Sequence, residues 1–381
     1  MWYYDYAPKH GRSGFDRSDI SLNFLFHEVI VDMETVSFSI ANYCVPCQAH
    51  CSYCLLSSCG QTSGVNYRQS TQFAHRVLAE LSEKKPDIRG SFYIGYCMDT
   101  PDLWDYIRFS REHLSPGAGF LQMNGFAFRE EKELHSIMQR IHDEGVKLID
   151  LTIYGAEEYH DRFAGRKGDF KLVMQMMSAA AKSDLPVNIS IPLLQSNLNQ
   201  LEELTKILSD YPVHKFSCFL PHSKGRGKTL QDQRITLEQF ESLPDRIRNA
   251  FSKIPHRTEA EWLKSGEWEQ PEKRNLTLVL KRDNIRSFEL MNAVEIIAYL
   301  EELDDRFLIQ MPTISELAER YGDPENDQLF RFRDLLLKWQ QCYIANAGNT
   351  IYDMHDETHH FSVHIVIRKP EVICSKASNL L

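Results

Sequence analysis

The chain has 381 residues, 43% of them apolar, which suits a packed α/β body with a smaller second unit and excludes a disordered or fibrous chain. A formal charge of −10 gives no global attraction to nucleic acid or to an anionic membrane, and neither is an expected partner. No apolar run is long enough to span a bilayer, and the start, MWYYDYAPKHGRSG, lacks the basic and apolar regions of a secretory signal, so a cytoplasmic protein is expected.

Residues 1–34 read as an N-terminal extension. From there to residue 250, strand-like runs alternate with helical ones. TVSFSIANYC (35–44), SFYIGYC (91–97), GFLQM (119–123), VKLIDLTIYG (146–155), PVNISIPLL (186–194) and HKFSCFL (214–220) are rich in β-branched and aromatic residues and bounded by Gly, Pro, Asp or Asn. Between them, TQFAHRVLAELSEKK, EEKELHSIMQRIHDEG and KLVMQMMSAAAKSD repeat apolar residues at threes and fours, the helical period. Such alternation builds βαβ units around a parallel sheet, and six units make either an open doubly wound sheet or an incomplete barrel. In both, sites form at the C-terminal ends of strands. Beyond residue 250, KSGEWEQPEKRN is polar and turn-rich. SFELMNAVEIIAYLEELDD, TISELAERYG and QLFRFRDLLLKWQQCYIANAG follow with helical periodicity, and HFSVHIVIR alternates late in the chain. Residues 251–381 are therefore expected to form a smaller, mainly helical domain closing the open side of the barrel.

Five of the nine cysteines, Cys44, Cys47, Cys51, Cys54 and Cys59, fall within sixteen residues, from the end of the first strand into the loop after it. An odd number clustered so tightly makes poor cross-links between distant parts of a fold, so reduced thiols serving as metal ligands are expected. Cys47, Cys51 and Cys54 are spaced C-x3-C-x2-C. Three thiolates on one irregular loop are able to hold three corners of a cubane iron–sulfur cluster, leaving the fourth iron open to a small chelating molecule. The same stretch also contains two C-x2-C pairs, CVPC and CSYC, which allow a zinc reading. Only three residues separate the pairs, short for a zinc ribbon. A non-catalytic iron–sulfur or zinc protein, an electron carrier or assembly module, is the rival interpretation.

CQAHCSYC, with Tyr53 before its last cysteine, resembles the signature of the radical S-adenosylmethionine superfamily. The resemblance spans about residues 35–230 and implies a partial (β/α)6 TIM-like barrel. It implies a [4Fe-4S] cluster on Cys47, Cys51 and Cys54, with S-adenosylmethionine on the open iron. One electron from a reductant such as flavodoxin or ferredoxin would then yield a 5′-deoxyadenosyl radical that takes hydrogen from a peptide or small-metabolite substrate. Weaker stretches agree. FLQMNG ends the third strand in Asn124 and Gly125. LTIYGAEEYHDRFAGRKGDF (151–170) resembles the branch of molybdenum-cofactor synthesis proteins and peptide maturases, with Thr152 at the usual serine, then His160-Asp161 and Gly165, Gly168, Phe170. PHSKGRG (221–227) resembles the Pro-x-Gly-Arg stretch after the sixth strand.

The chain also departs from that pattern. GYCMDTPDL stands where Gly-Gly-Glu-Pro is usual; Pro101 survives, and Asp99 or the carbonyls of residues 98–100 would receive the cofactor ammonium. Ala164 replaces an arginine, leaving Arg162 or Arg166 to pair the carboxylate. Tyr53, Asn124, Thr152, Ser190 and Arg226 complete the expected cofactor contacts. With only Cys342 and Cys374 late in the chain, an auxiliary cluster is not expected. Cys44, Cys59, Cys97 and Cys218 are read as small packed side chains, His50 as solvent-exposed or bonded to the loop backbone, and Lys224, Arg226 and Lys228 as a charged loop. The histidines of MHDETHH (354–360) and His364 read as a surface loop.

Overall fold

A computed structural model of the chain describes residues 34–55, 57, 60–95, 97–113, 120–251, 255–266 and 273–347. Cys59, Cys374, the histidines of 354–360, His364 and nearly all of the expected N-terminal extension lie outside these residues, as does the side chain of Cys97.

Elements follow one another as the periodicity requires: β1 (Glu34–Asn42), α1 (Tyr67–Lys84), β2 (Arg89–Ile94), α2 (Leu103–His113), β3 (Phe120–Gln122), α3 (Glu131–Asp143), β4 (Leu148–Thr152), α4 (Glu157–Ala164), α5 (Asp169–Lys182), β5 (Val187–Pro192), α6 (Leu201–Leu208) and β6 (Val213–Phe219). The short helices α7 (Leu237–Glu241) and α8 (Asp245–Asn249) come next, then β7 (Arg257–Thr258), α9 (Glu259–Ser265), β8 (Lys273–Leu280), α10 (Ile285–Glu289), α11 (Ala293–Gln310), α12 (Ile314–Tyr321), β9 (Leu329–Phe330) and α13 (Phe332–Ala347).

Seven strands are parallel, in two sheets ordered β2-β1-β8 and β3-β4-β5-β6; among the described residues they do not close into a barrel. Alternation gives each strand two faces. Phe38, Ile40, Ile149, Leu151, Ile189, Ile191, Leu276 and Leu278 are buried in the main core with α1, α3 and α5. On the other face of β1, the hydroxyl of Ser39 meets that of Ser91 at 2.7 Å. On β4–β6, Ser190 lies 3.4 Å from Asp150 and 3.3 Å from Ser217. Burial pushes the Asp150 carboxyl up to about 6, with Ser190 and Lys215 opposing. The concave face is thus polar and the helix-facing one apolar, the division a partial TIM-like barrel imposes.

The region beyond residue 250 divides. β8 runs parallel to β1 from Glu34↔Lys273 to Asn42↔Leu280, and α11 packs beside α1, where Glu80 accepts the Ala293 N–H at 2.8 Å. This part extends the sheet of β1 and β2 by one strand and does not belong to a separate helical unit. A sequence-based reading passes over LTLVL because one short apolar run, sitting behind polar KSGEWEQPEKRN, does not tell strand from helix or loop. Around a second core of Trp262, Leu317, Phe330, Phe332, Leu335 and Trp339, the remainder is mainly helical apart from the antiparallel pair β7–β9. A buried ionic group ties that unit to the end of β6: His222 Nδ1 lies 3.1 Å from Asp334 of α13, which also accepts from Arg331 at 3.1 Å.

Candidate metal centre

The cysteine loop leaves β1 at Asn42, whose buried carboxamide bonds the Val65 backbone in both directions and so fixes where the loop begins and ends. Cys47 is buried, and Cys51 and Cys54 are half-buried; none of the three is in a disulfide. Three downstream segments hold the loop, mostly through its backbone. From the end of β3, the Gly125 carbonyl accepts the Gln48 N–H at 2.8 Å. From the end of α4, the Ala164 and Phe163 carbonyls accept from His50 at 2.7 Å and Ser52 at 2.9 Å, using up acceptors a helix C-terminus leaves open. From the turn after β6, the Arg226 N–H donates to the Cys54 carbonyl at 2.9 Å and its Nε to the Cys51 carbonyl at 2.8 Å.

Two glycines make this approach possible. At Gly165 (φ +63°) a Cβ would stand 2.9 Å from the His50 carbonyl, and at Gly225 (φ +58°) it would stand 2.3 Å from the Leu55 carbonyl and 2.4 Å from that of Cys54. Both the left-handed backbone and the proximity require glycine.

The His160-Asp161 pair supports the clasp from behind. Asp161 accepts the N–H groups of Gly168 and Phe170, capping α5. His160, wholly buried, accepts the Tyr154 N–H at 3.2 Å and meets Asp169 at 3.0 Å; the Arg166 Nε in turn donates to Asp169 at 2.9 Å.

Several expected cofactor contacts have other occupations. Asp99 accepts from the Ala127 N–H and from Arg129, each at 2.8 Å, and so straps the segment after β3. Asn124 exchanges two bonds with the Thr152 backbone, at 3.0 and 2.7 Å, and extends the β3–β4 ladder by one side chain. Arg166 is taken up by Asp169, the Phe126 carbonyl and the ring of Phe128. Arg162 points to solvent, its side chain 65% exposed. Arg226 holds the loop backbone and Lys224 beside it is buried, so these two are packed against the fold, while Lys228 is exposed to solvent as expected. His50 is half-buried, and the bond it makes is from its own N–H to the Ala164 carbonyl of α4. Cys44 is partly buried against the core, with Thr100 near its thiol, and Cys218 is buried on the helix-facing side of β6.

Tyr53 lies in the cysteine loop with Thr152 near it, and Ser190 sits beside Thr152 in the β4–β5 register. Tyr53 is half-buried, its ring centroid 5.5 Å from that of Tyr154, 5.9 Å from Phe163 and 6.2 Å from Phe219, and its hydroxyl is near those of Thr152 and Tyr154. Sequence reasoning passed over Tyr154, whose hydroxyl donates to Cys51 Sγ at 3.1 Å. An aromatic residue before the glycine that follows β4 was the only available signal.

The donor set fits an iron–sulfur cluster. Burial pushes the Cys51 thiol up to about 12, with Cys54 and Cys47 adding like-charge repulsion and Tyr154 opposing. A thiol this resistant to ionisation, set between two other cysteines, is a place where a cation must supply the charge that draws off its proton. Among the described residues no three His, Cys, Asp or Glu side chains converge on a single metal ion. A cubane asks for a wider arrangement, with each thiolate on its own iron.

No family model matches the chain. A stretch of 121 residues, 32% of the chain, is 26% identical to the sporulation killing factor maturation protein SkfB of Bacillus subtilis, and the match spans 26% of that protein's length. Among solved structures, Streptococcus suis SuiB bound to S-adenosylmethionine is similar over 65% of this chain and 59% of that one, at 12% identity and a TM-score of 0.45. Escherichia coli coproporphyrinogen III oxidase, described as a radical SAM enzyme, is similar over 54% of this chain and 50% of that one, at 10% identity and a TM-score of 0.36. The cysteine spacing, its loop at the C-terminal end of β1 in a parallel α/β sheet, and the clasp built from the stretches at 120–125, 151–170 and 221–227 are the features in which this chain resembles the radical S-adenosylmethionine superfamily.

Proposed function

We propose that the protein is a radical S-adenosylmethionine enzyme that modifies a peptide. The observation that carries this reading is the three-sided clasp, which fixes the loop of Cys47, Cys51 and Cys54 over the polar concave face of the sheet. A [4Fe-4S] cluster on these thiolates, with S-adenosylmethionine on the open iron, supplies one-electron cleavage of the sulfonium and hence a radical able to take hydrogen from a C–H bond. This chain holds the loop backbone rigid, so the thiolates are set before anything binds. Tyr53, Phe163 and Phe219 form an apolar wall beside them that excludes water. Thr152 and Ser190 are assigned to the cofactor; Ser217 and Asp150 offer hydrogen bonds on the same face as Ser190. The similarity to a maturation protein supports a peptide substrate. A flavodoxin or ferredoxin would supply the electron in the cytoplasm. Among the described residues no helix is long and apolar enough to cross a membrane.

The test is chromatographic detection of 5′-deoxyadenosine after dithionite and S-adenosylmethionine are added to anaerobically reconstituted protein. A Cys47→Ala, Cys51→Ala, Cys54→Ala variant is run beside it. Product from the native chain alone supports the proposal. A loaded cluster that binds the cofactor yet yields no product, with or without candidate peptides, overturns the catalytic reading in favour of an electron carrier.

A further inference from the structure

The hydrogen bond from Tyr154 to Cys51 has no part in the clasp, and its surroundings suit a task of its own. Tyr154 lies two residues past the end of β4 and is 1% exposed. Its main chain is pinned on both sides: the N–H donates to His160 at 3.2 Å and the carbonyl accepts from Asn197 at 2.8 Å. Its ring lies 4.7 Å from both His160 and Phe163 and edge-on to Tyr53 at 5.5 Å. The hydroxyl therefore has little freedom and reaches one sulfur, Cys51 Sγ, at 3.1 Å.

We propose that Tyr154 is a tuning residue whose hydroxyl, donating to Cys51 Sγ, raises the reduction potential of the cluster; the inference rests on the cluster reading above. One-electron reduction adds a negative charge that spreads onto the ligating sulfurs. A donor aimed at one of those sulfurs stabilises the reduced form more than the oxidised form. In an apolar setting the effect is stronger than in water, because the field is poorly screened and the donor need not reorient. The ring stack and the two main-chain anchors make the bond preorganised. No proton is transferred in this role, so the hydroxyl acts only by its dipole.

The experiment is a redox titration of reconstituted protein, followed by the electron paramagnetic resonance signal of the reduced cluster, without substrate. Native protein is compared with Tyr154→Phe and with Tyr159→Phe, whose hydroxyl bonds Ser196 at 2.8 Å and not a sulfur. Iron and sulfide are counted in each. The expected result is a shift of the midpoint to more negative potential in Tyr154→Phe at full cluster content, with Tyr159→Phe unchanged. An unshifted Tyr154→Phe that carries a full cluster overturns the proposal. Should Tyr154→Phe fail to load iron, 3-fluorotyrosine at position 154 keeps the shape and makes a stronger donor; a less negative midpoint then supports the proposal and an unchanged one overturns it. Native protein that binds no iron and sulfide overturns the cluster reading itself, which the iron count separates from a failed tuning role.

Discussion

Gly225→Ala tests whether the clasp depends on direct backbone approach. Gly225 (φ +58°) and Gly266 (φ +59°) have nearly the same left-handed backbone, so alanine adds the same strain at each, about 1–2 kcal/mol. Their surroundings differ. A Cβ at Gly266 meets nothing within 4 Å, whereas at Gly225 it would stand 2.3 Å from the Leu55 carbonyl oxygen and 2.4 Å from that of Cys54. Those are backbone atoms of the loop that carries the cysteines, so no side-chain rotation relieves the overlap. Forcing the groups apart adds the cost of overpacking, about 1–3 kcal/mol, and lengthens the Arg226 bonds to the loop. Gly225→Ala should therefore lose about 2–5 kcal/mol and Gly266→Ala about 1–2 kcal/mol. Urea unfolding of the two variants, with iron retained after anaerobic desalting as a second readout, makes the comparison. Equal stabilities together with native iron content in Gly225→Ala would refute the argument that contact with the loop, and not turn conformation alone, requires this glycine.

Leu278→Ala removes a wholly buried side chain of β8 and should cost about 2–5 kcal/mol in one unfolding transition shared with the barrel. A barrel transition left at its native position would show that the segment after residue 250 folds separately. Acid should also weaken the joint between β6 and α13. Burial first, and then Arg331, hold the His222 imidazole down at about 3, against an ordinary value of 6.5. Below about pH 6.5 the unfolded chain takes up a proton that the folded chain refuses, so stability falls as pH falls, by about 1.4 kcal/mol per pH unit for that proton, until about pH 3. The raised Asp150 carboxyl works in the opposite direction, and Asp334, held well below its ordinary value, begins to matter only below about pH 4. Urea midpoints of native protein and His222→Gln between pH 7 and 5 isolate the histidine; parallel slopes would sink the argument.

The sequence determined the parts of this protein that depend on local period and spacing. Alternation and helical repeats gave β1 through β6 and the main helices, because each such pattern reports which face of an element is buried. Likewise, C-x3-C-x2-C needed no tertiary information, since its three thiolates are neighbours along one loop. What lay beyond local pattern was decided by packing. β8 is a strand because Leu276, Leu278 and Leu280 find a buried face beside β1, a partner far away in sequence. Asp99, Asn124, Arg166 and Arg226 look in the sequence like polar groups awaiting a ligand. In the fold they are used on backbone carbonyls, amides and ion pairs, because loops drawn this close to a buried site leave polar backbone groups that must be satisfied. The Tyr154 bond to Cys51 joins residues 103 apart in sequence, and only the return of β4 beneath the cysteine loop brings them together.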